Sequence, residues 1–285
     1  MMGNFPSCYL CNSESHKIRH NRVRDSLEIK VLECNQCGLV FLSSFDHINE
    51  QFYEQSGMLN GNVDLQVYRN NSYQDDLRRA NYLQEKITNK SLLDFGCGAG
   101  GLLNLLKDKC SKVAGIELDK TLNLIINKEG INCYTQLDEI KDKFDYITLF
   151  HVLEHLPDPL AILEKMKSYL NPNGKILIEI PSSDDALLTL YNSETFADFT
   201  YWSCHLFLYN TKTLTDLFGK CGYKINYIKQ VQRYPLSNHL YWLSKGKPGG
   251  HKEWNFINSS LIESEYESKL AAIGKCDTLL AEISL

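Results

Sequence analysis

The run Asp94-Phe95-Gly96-Cys97-Gly98-Ala99-Gly100-Gly101 constrains the fold of this chain more than any other stretch. Glycine takes left-handed backbone angles without a Cβ penalty and lets the main chain approach a ligand closely. Lys90-Ser91-Leu92-Leu93, just ahead, reads as a polar segment entering a short buried strand. Leu102-Leu103-Asn104-Leu105-Leu106, just behind, starts an apolar helical pattern. Strand, glycine turn and helix in this order make the opening unit of a nucleotide-binding α/β domain.

The loop alone leaves the ligand open. Gly96, Gly98 and Gly101 satisfy the dinucleotide pattern G-x-G-x-x-G, whereas Asp94 with Gly96, Gly98 and Gly100 satisfies the D-x-G-x-G-x-G pattern of S-adenosylmethionine (SAM) enzymes. A tight turn with no ligand is the bland alternative. Glu117 ends the next apolar run, Val113-Ala114-Gly115-Ile116, where a carboxylate can hold ribose hydroxyls under either ligand reading.

A second pattern lies at the N-terminus. Cys8-Tyr9-Leu10-Cys11 and Cys34-Asn35-Gln36-Cys37 are two C-x-x-C knuckles separated by 22 residues. Each offers two thiolates, and together they close a tetrahedral S4 shell around a structural zinc, with no open position for catalysis. Gly38 fits the turn after the second knuckle, Leu39 to Leu42 reads as a strand, and Ser26 to Leu32 as its partner. His16 and His20 read as solvated rather than ligating. So small a module buries too little core to fold alone, so the metal is expected to supply much of its folding energy. The other six cysteines, Cys97, Cys110, Cys133, Cys204, Cys221 and Cys276, are scattered and read as free, small buried hydrophobes.

These patterns divide the chain into a zinc ribbon over 1–43, a connecting cap over 44–75 and an α/β domain over 76–285. Insertions are expected in that domain near 183–209 and 233–276. In the cap, Phe52, Tyr53, Tyr68 and Tyr73 either cover a ligand or pack the ribbon onto the main domain. Asp76 to Ile87 reads as a helix with Leu77, Ala80, Leu83 and Ile87 on one face. Strands are expected near 91–95, 112–117, 131–135, 144–150 and 174–180, with helices near 101–109, 119–129 and 159–170. This alternation predicts a doubly wound, mostly parallel sheet. Thr211 to Lys220 reads as a helix, Tyr223 to Gln232 and Thr278 to Ile283 as two late strands, and 240–243 and 261–273 as helical.

The downstream segments separate the two ligand readings. Phe144 to Pro159, with His151-Val152-Leu153-Glu154-His155 inside it, resembles the fourth strand and following loop of class I SAM-dependent methyltransferases. Gly174-Lys175-Ile176-Leu177-Ile178-Glu179-Ile180-Pro181 resembles their fifth strand. The resemblance covers roughly residues 75–285 and implies a Rossmann-like, seven-stranded sheet whose last two strands pair antiparallel. It places the cofactor on Asp94, Gly96, Cys97, Gly98, Gly100, Glu117, Leu118, Leu137 and Phe150. Glu117 would accept both ribose hydroxyls, Leu118 would cover the adenine, and Asp94 would order the loop or reach the ligand amine through water.

Methyl transfer is mainly a positioning problem. A hydroxyl or activated carbon acceptor must also lose a proton, for which histidine is suited near neutral pH. His155, His205 and His151 are the catalytic candidates, each set against a purely structural histidine. Tyr53, Tyr68, Glu154 and His251 are the candidates for contacting the acceptor. Lys245 to His251 carries a glycine-rich turn fit either to bind an anion or to serve as a plain loop.

A four-cysteine module ahead of this domain resembles enzymes of bacterial surface-polysaccharide and sugar modification, including sugar C-methyltransferases. Those are longer and carry a glutamate before the second histidine, where this chain has Cys204. The expectation is therefore O-methylation of a sugar, sugar phosphate or nucleotide sugar. The alternatives are N- or C-methylation of a related metabolite, a zinc-ribbon ribosomal-RNA methyltransferase, and a non-catalytic SAM-binding protein. A formal net charge of −5 weighs against nucleic acid. Neither a membrane span nor a secretory signal is read from the sequence, so the expected location is cytoplasmic.

Overall fold

The computed structural model describes residues 6–48 and 65–285. Their strands are β1 (His16–His20), β2 (Val31–Cys34), β3 (Val40–Leu42), β4 (Ser91–Phe95), β5 (Lys112–Ile116), β6 (Asn132–Tyr134), β7 (Phe144–Phe150), β8 (Leu170–Pro181), β9 (Phe207–Leu208), β10 (Lys224–Val231) and β11 (Thr278–Ser284). The helices are α1 (Leu65–Ile87), α2 (Gly101–Leu106), α3 (Lys120–Lys128), α4 (Pro159–Met166), α5 (Ala186–Thr189), α6 (Glu194–Thr200), α7 (Thr211–Lys220), α8 (Leu236–Lys245), α9 (Gly250–Glu253) and α10 (Ser260–Ala272). One sheet has four strands in the order β1-β2-β3-β9, and the other has seven in the order β6-β5-β4-β7-β8-β11-β10. This is the doubly wound, mostly parallel α/β architecture that the alternating pattern predicts. The chain separates into two compact units, one of Asp46–Val152, Ala161–Leu177 and Ile283–Leu285, the other of Met1–Phe45, Leu153–Leu160 and Ile178–Glu282.

In the first of these units β4 is the central strand, parallel to β5 on one side and β7 on the other, with Asp94 beside Gly115 and Thr148. A strand flanked on both sides and covered on both faces needs a continuous apolar run, and Leu92 and Leu93 are fully buried. Asp119 caps α3 by accepting from the backbone N–H groups of Thr121 and Leu122, which stops β5 and starts the helix cleanly. Helix α1 begins at Leu65, well before Asp76, so the expected boundary at 75/76 falls inside a helix. Its first turns are rich in Asn, Ser and Tyr, weaker helix formers that hide the period. Tertiary contacts hold them instead: Arg69 donates to the Ala99 carbonyl oxygen at 2.8 Å and pairs with Glu129 at 2.6 Å.

In the other unit the N-terminal ribbon is built differently from the sequence reading. The partner of β3 is β2, with Val31 opposite Leu42 and Glu33 opposite Val40. Residues 26–30 are not in a strand: Val23 and Ser26 exchange backbone hydrogen bonds to close a turn over 23–26, and the Ser26 hydroxyl then accepts from Glu28 and Ile29 N–H. The other edge of β3 pairs with β9, Phe41 opposite Phe207. Residues 207–208 of the first insertion thus complete the ribbon sheet.

Burying Phe41 and Phe207, both almost fully enclosed, contributes about 2–3 kcal/mol each. Further ties are Asp25 accepting from the Ser203 hydroxyl at 2.6 Å, Tyr9 donating to Asp158, and Arg19 bonding both Tyr201 at 2.8 Å and the Ser183 carbonyl oxygen. His20 is not a solvated residue, as its Nε2 meets Asp198 at 2.9 Å and its side chain is only 13% exposed. The second insertion forms α8, α9 and α10. Of the six scattered cysteines five are buried, and Cys110 is half-exposed.

Candidate functional site

The glycine loop follows β4. Gly96 donates to the Ile116 carbonyl oxygen at 2.8 Å, as Cys97 does at 3.0 Å, which folds the loop onto the end of β5. Gly96 has φ +77°, and a Cβ there would lie 2.5 Å from Val152 Cγ2. Gly98 has φ +54°, and a Cβ there would lie 3.0 Å from the Tyr68 hydroxyl. Both positions therefore require glycine for conformation and for space. Tyr68 comes from the part of α1 that the sequence did not reveal. Burial raises its phenol to about 12, with the carboxylates of Glu117 and Asp76 adding to the effect.

Glu117 closes the other side. Its carboxylate accepts from the Gly98 N–H at 2.8 Å through one oxygen and from the Asp119 N–H at 2.8 Å through the other. Each oxygen keeps a lone pair, so a diol can bind without displacing the bonds that fix the side chain. Burial raises this carboxyl to about 6, with Asp119 adding to it and the N–H donors opposing it. Asp94 is fully enclosed and accepts from the Thr148 hydroxyl at 2.7 Å. Burial also raises it to about 6, and the Thr148 bond opposes that rise.

Leu118 is 44% exposed beside Glu117, open to an apolar ring. Leu137 and Phe150 are buried, and the Arg79 guanidinium lies 5.0 Å from the Phe150 ring. Cys97 Sγ is 3.8 Å from Cys133 Sγ. His151 follows β7 with φ +56°, an uncommon angle for a residue with a Cβ. Tyr53 lies outside the described residues.

In the other unit Glu154 and His155 occupy a short 3-10 turn over Leu153–His155. His155 Nδ1 is 2.8 Å from the Cys204 carbonyl oxygen, and the His155 and His205 rings are 4.9 Å apart. Glu154 is fully buried, with Oε1 4.0 Å from His155 Nε2. His251 sits in α9, its Nδ1 3.4 Å from Asn238 Oδ1, and burial lowers its basicity. The glycine-rich turn before it has a structural use: Gly246 terminates α8 and Gly249 opens α9, both with positive φ.

The four N-terminal cysteines converge. Cys8 and Cys37 sulfurs are 3.5 Å apart, as are those of Cys11 and Cys34. Zinc–sulfur bonds of about 2.3 Å in a tetrahedron put sulfurs about 3.8 Å apart, so the donor set fits zinc. Burial raises the Cys34 thiol, but N–H donors from Cys37 and Gln36 outweigh it and bring the thiol down to about 7. Two members of the molecule's working parts escaped the sequence reading. Thr148 is visible only as a polar residue inside a buried strand. Cys204, next to His205 in sequence, is brought to His155 by the fold alone.

An open sheet in this order, with a glycine loop after the central strand and a buried carboxylate at the end of its neighbour, is a cofactor-binding arrangement of the Rossmann type. The chain belongs to the family described as methyltransferase domain, whose model matches residues 65–228. It carries a SAM-dependent methyltransferase domain.

It is 32% identical over 114 residues to a ubiquinone biosynthesis O-methyltransferase of Histophilus somni, covering 34% of this chain and 48% of that protein. It is also 32% identical over 119 residues to the protein of that name from Haemophilus ducreyi, covering 35% and 50%. The chain thus spans about half the length of the curated relatives it matches. A SAM-dependent methyltransferase from Archaeoglobus fulgidus has the same fold, with a TM-score of 0.51 at 16% identity over 78% of this chain and 99% of that one. These relatives do not carry the surface-polysaccharide name that the sequence resemblance suggested. Among the described residues no helix is long and apolar enough to cross a membrane.

Proposed function

We propose that this protein transfers a methyl group from SAM to a hydroxyl of a small molecule. The observation that carries the reading is Glu117, a buried carboxylate pinned by two backbone N–H groups beside a loop whose Gly96 and Gly98 take positive φ and leave little room for a Cβ. Gly96, Gly98, Gly100 and Glu117 hold the cofactor, Leu118 and Leu137 contribute the adenine side, and Asp94 keeps the loop in shape. A hydroxyl must lose its proton during transfer, and His155 and His205 are assigned that task, with His151 positioning the acceptor. Cys8, Cys11, Cys34 and Cys37 bind a structural zinc, a role their 3.5 Å sulfur pairs support.

For the acceptor, the first reading is a sugar, sugar phosphate or nucleotide sugar of surface-glycan synthesis. It rests on the four-cysteine module ahead of the domain. The second is a hydroxylated aromatic, favoured by the ubiquinone O-methyltransferase names of the relatives. Incubation with methyl-labelled SAM against panels of both classes decides between them. Label on a sugar oxygen supports the first, label on a phenolic oxygen supports the second, and label on nitrogen or carbon refutes O-methyl transfer.

A further inference from the structure

We propose that His155, Cys204 and His205 form a second zinc site, with three protein ligands and an open fourth position. The ligand atoms of these three residues lie within 4.8 Å of one another. Zinc bonds of about 2.0–2.3 Å put tetrahedral ligand atoms roughly 3.3–3.8 Å apart, so small ring rotations close the shell. The site is already oriented for a metal. His155 Nδ1 donates to the Cys204 carbonyl oxygen at 2.8 Å, which fixes the tautomer with the lone pair on Nε2. A backbone carbonyl accepting from the far nitrogen is the usual device for aiming a ligating imidazole.

The loop that carries the other two ligands is clamped. Leu206 N–H donates to the Glu154 carbonyl oxygen at 2.8 Å, and His205 N–H to that of Trp202 at 3.0 Å. Ser203 bonds Asp25 through both its N–H, at 3.1 Å, and its hydroxyl, at 2.6 Å. The Arg24 guanidinium stacks 3.6 Å over the Trp202 ring. Charge also balances. Glu154, fully buried and 4.0 Å from His155 Nε2, together with a Cys204 thiolate offsets a divalent cation. Two imidazoles and one thiolate suit zinc rather than magnesium or calcium. Binding is written as exchange: the thiol proton leaves to solvent as the sulfur–zinc bond forms.

The two cysteine-containing clusters then differ in kind. Four thiolates close a structural shell, whereas three ligands leave room for water or an acceptor oxygen. With zinc held there, the ion would lower the pKa of an acceptor hydroxyl, and it is as its ligands that His155 and His205 would serve the proton loss assigned to them. Only this last role rests on the O-methyl reading, whereas metal content tests the site independently.

The experiment is zinc per chain in the full-length protein, supplemented with zinc sulfate and desalted, for wild type, Cys204→Ser and His155→Gln. About two equivalents in wild type and about one in each variant are expected, with far-ultraviolet circular dichroism unchanged. A mild chromogenic chelator applied to wild type should remove one fast equivalent without loss of fold, which settles the question even if a variant misfolds. One equivalent in wild type, or two retained in both variants, overturns the proposal. So does wild-type zinc released only together with unfolding.

Discussion

The glycine loop and the cysteine ribbon are both compact folds of a short segment, yet different forces hold them. The loop keeps its form through backbone angles and a few main-chain bonds: Gly96 and Cys97 to Ile116, and Gly98 to Glu117. The ribbon keeps its form through contacts between distant segments: four sulfurs brought together from two knuckles, and the strand pairing of Phe41 with Phe207. A change in the loop should therefore alter affinity while leaving the fold intact. A change in the ribbon should alter folding first.

The largest expected effect lies in the ribbon. Cys34→Ser should release its zinc and open residues 6–45 to limited proteolysis, since structural zinc supplies on the order of 10 kcal/mol to modules of this kind. A variant that loses the metal but keeps full protection would show that β9 and its neighbours hold the ribbon unaided. Next comes Gly96→Ala. A methyl 2.5 Å from Val152 Cγ2, at φ +77°, should cut SAM affinity by about tenfold to a hundredfold in calorimetry with little change in melting temperature. Adding Val152→Ala should recover the part caused by the clash. A large fall in melting temperature would erase the distinction drawn between the two regions.

Glu117→Ala should weaken SAM by about 1–3 kcal/mol, the loss of charge-assisted bonds to a diol. The pH dependence follows from the same group. Glu117 and Asp94 are both raised to about 6, against unfolded values of about 4. Between these limits the native state binds more protons than the unfolded chain. The contribution of these two groups to stability therefore grows as pH falls from 7 towards 4. SAM affinity should move the other way, dropping as pH falls through 6 and Glu117 loses its charge. Titration calorimetry and thermal melts across this window, with Glu117→Gln as control, check both signs. The smallest effect is Thr148→Val, which removes the bond to Asp94 and should cost about 1 kcal/mol in denaturant unfolding.

What the sequence revealed follows the same division. Asp94 to Gly101 is contiguous, and its function lies in backbone angles that glycine signals directly. Glu117 was legible because β5 ends where its apolar run ends. The beginning of α1 was hidden because its polar residues carry no period and depend on Arg69 reaching Ala99 and Glu129. Of Ser26 to Leu32, read as the partner of β3, only Val31 and Leu32 lie in β2, because the Ser26 hydroxyl takes the Glu28 and Ile29 N–H groups out of any ladder. Cys204 could not be linked to His155 from spacing. Their 49-residue separation is closed only by the loop carrying Leu206, bonded back to Glu154.

The deciding measurement is calorimetric titration of the full chain with SAM and, in parallel, with NAD, repeated on Glu117→Ala. Saturable SAM binding that weakens in the variant, with no heat from NAD, is the predicted result. NAD binding without SAM binding, or SAM affinity untouched by removal of the Glu117 carboxylate, would contradict the assignment of the loop from Asp94 to Gly101.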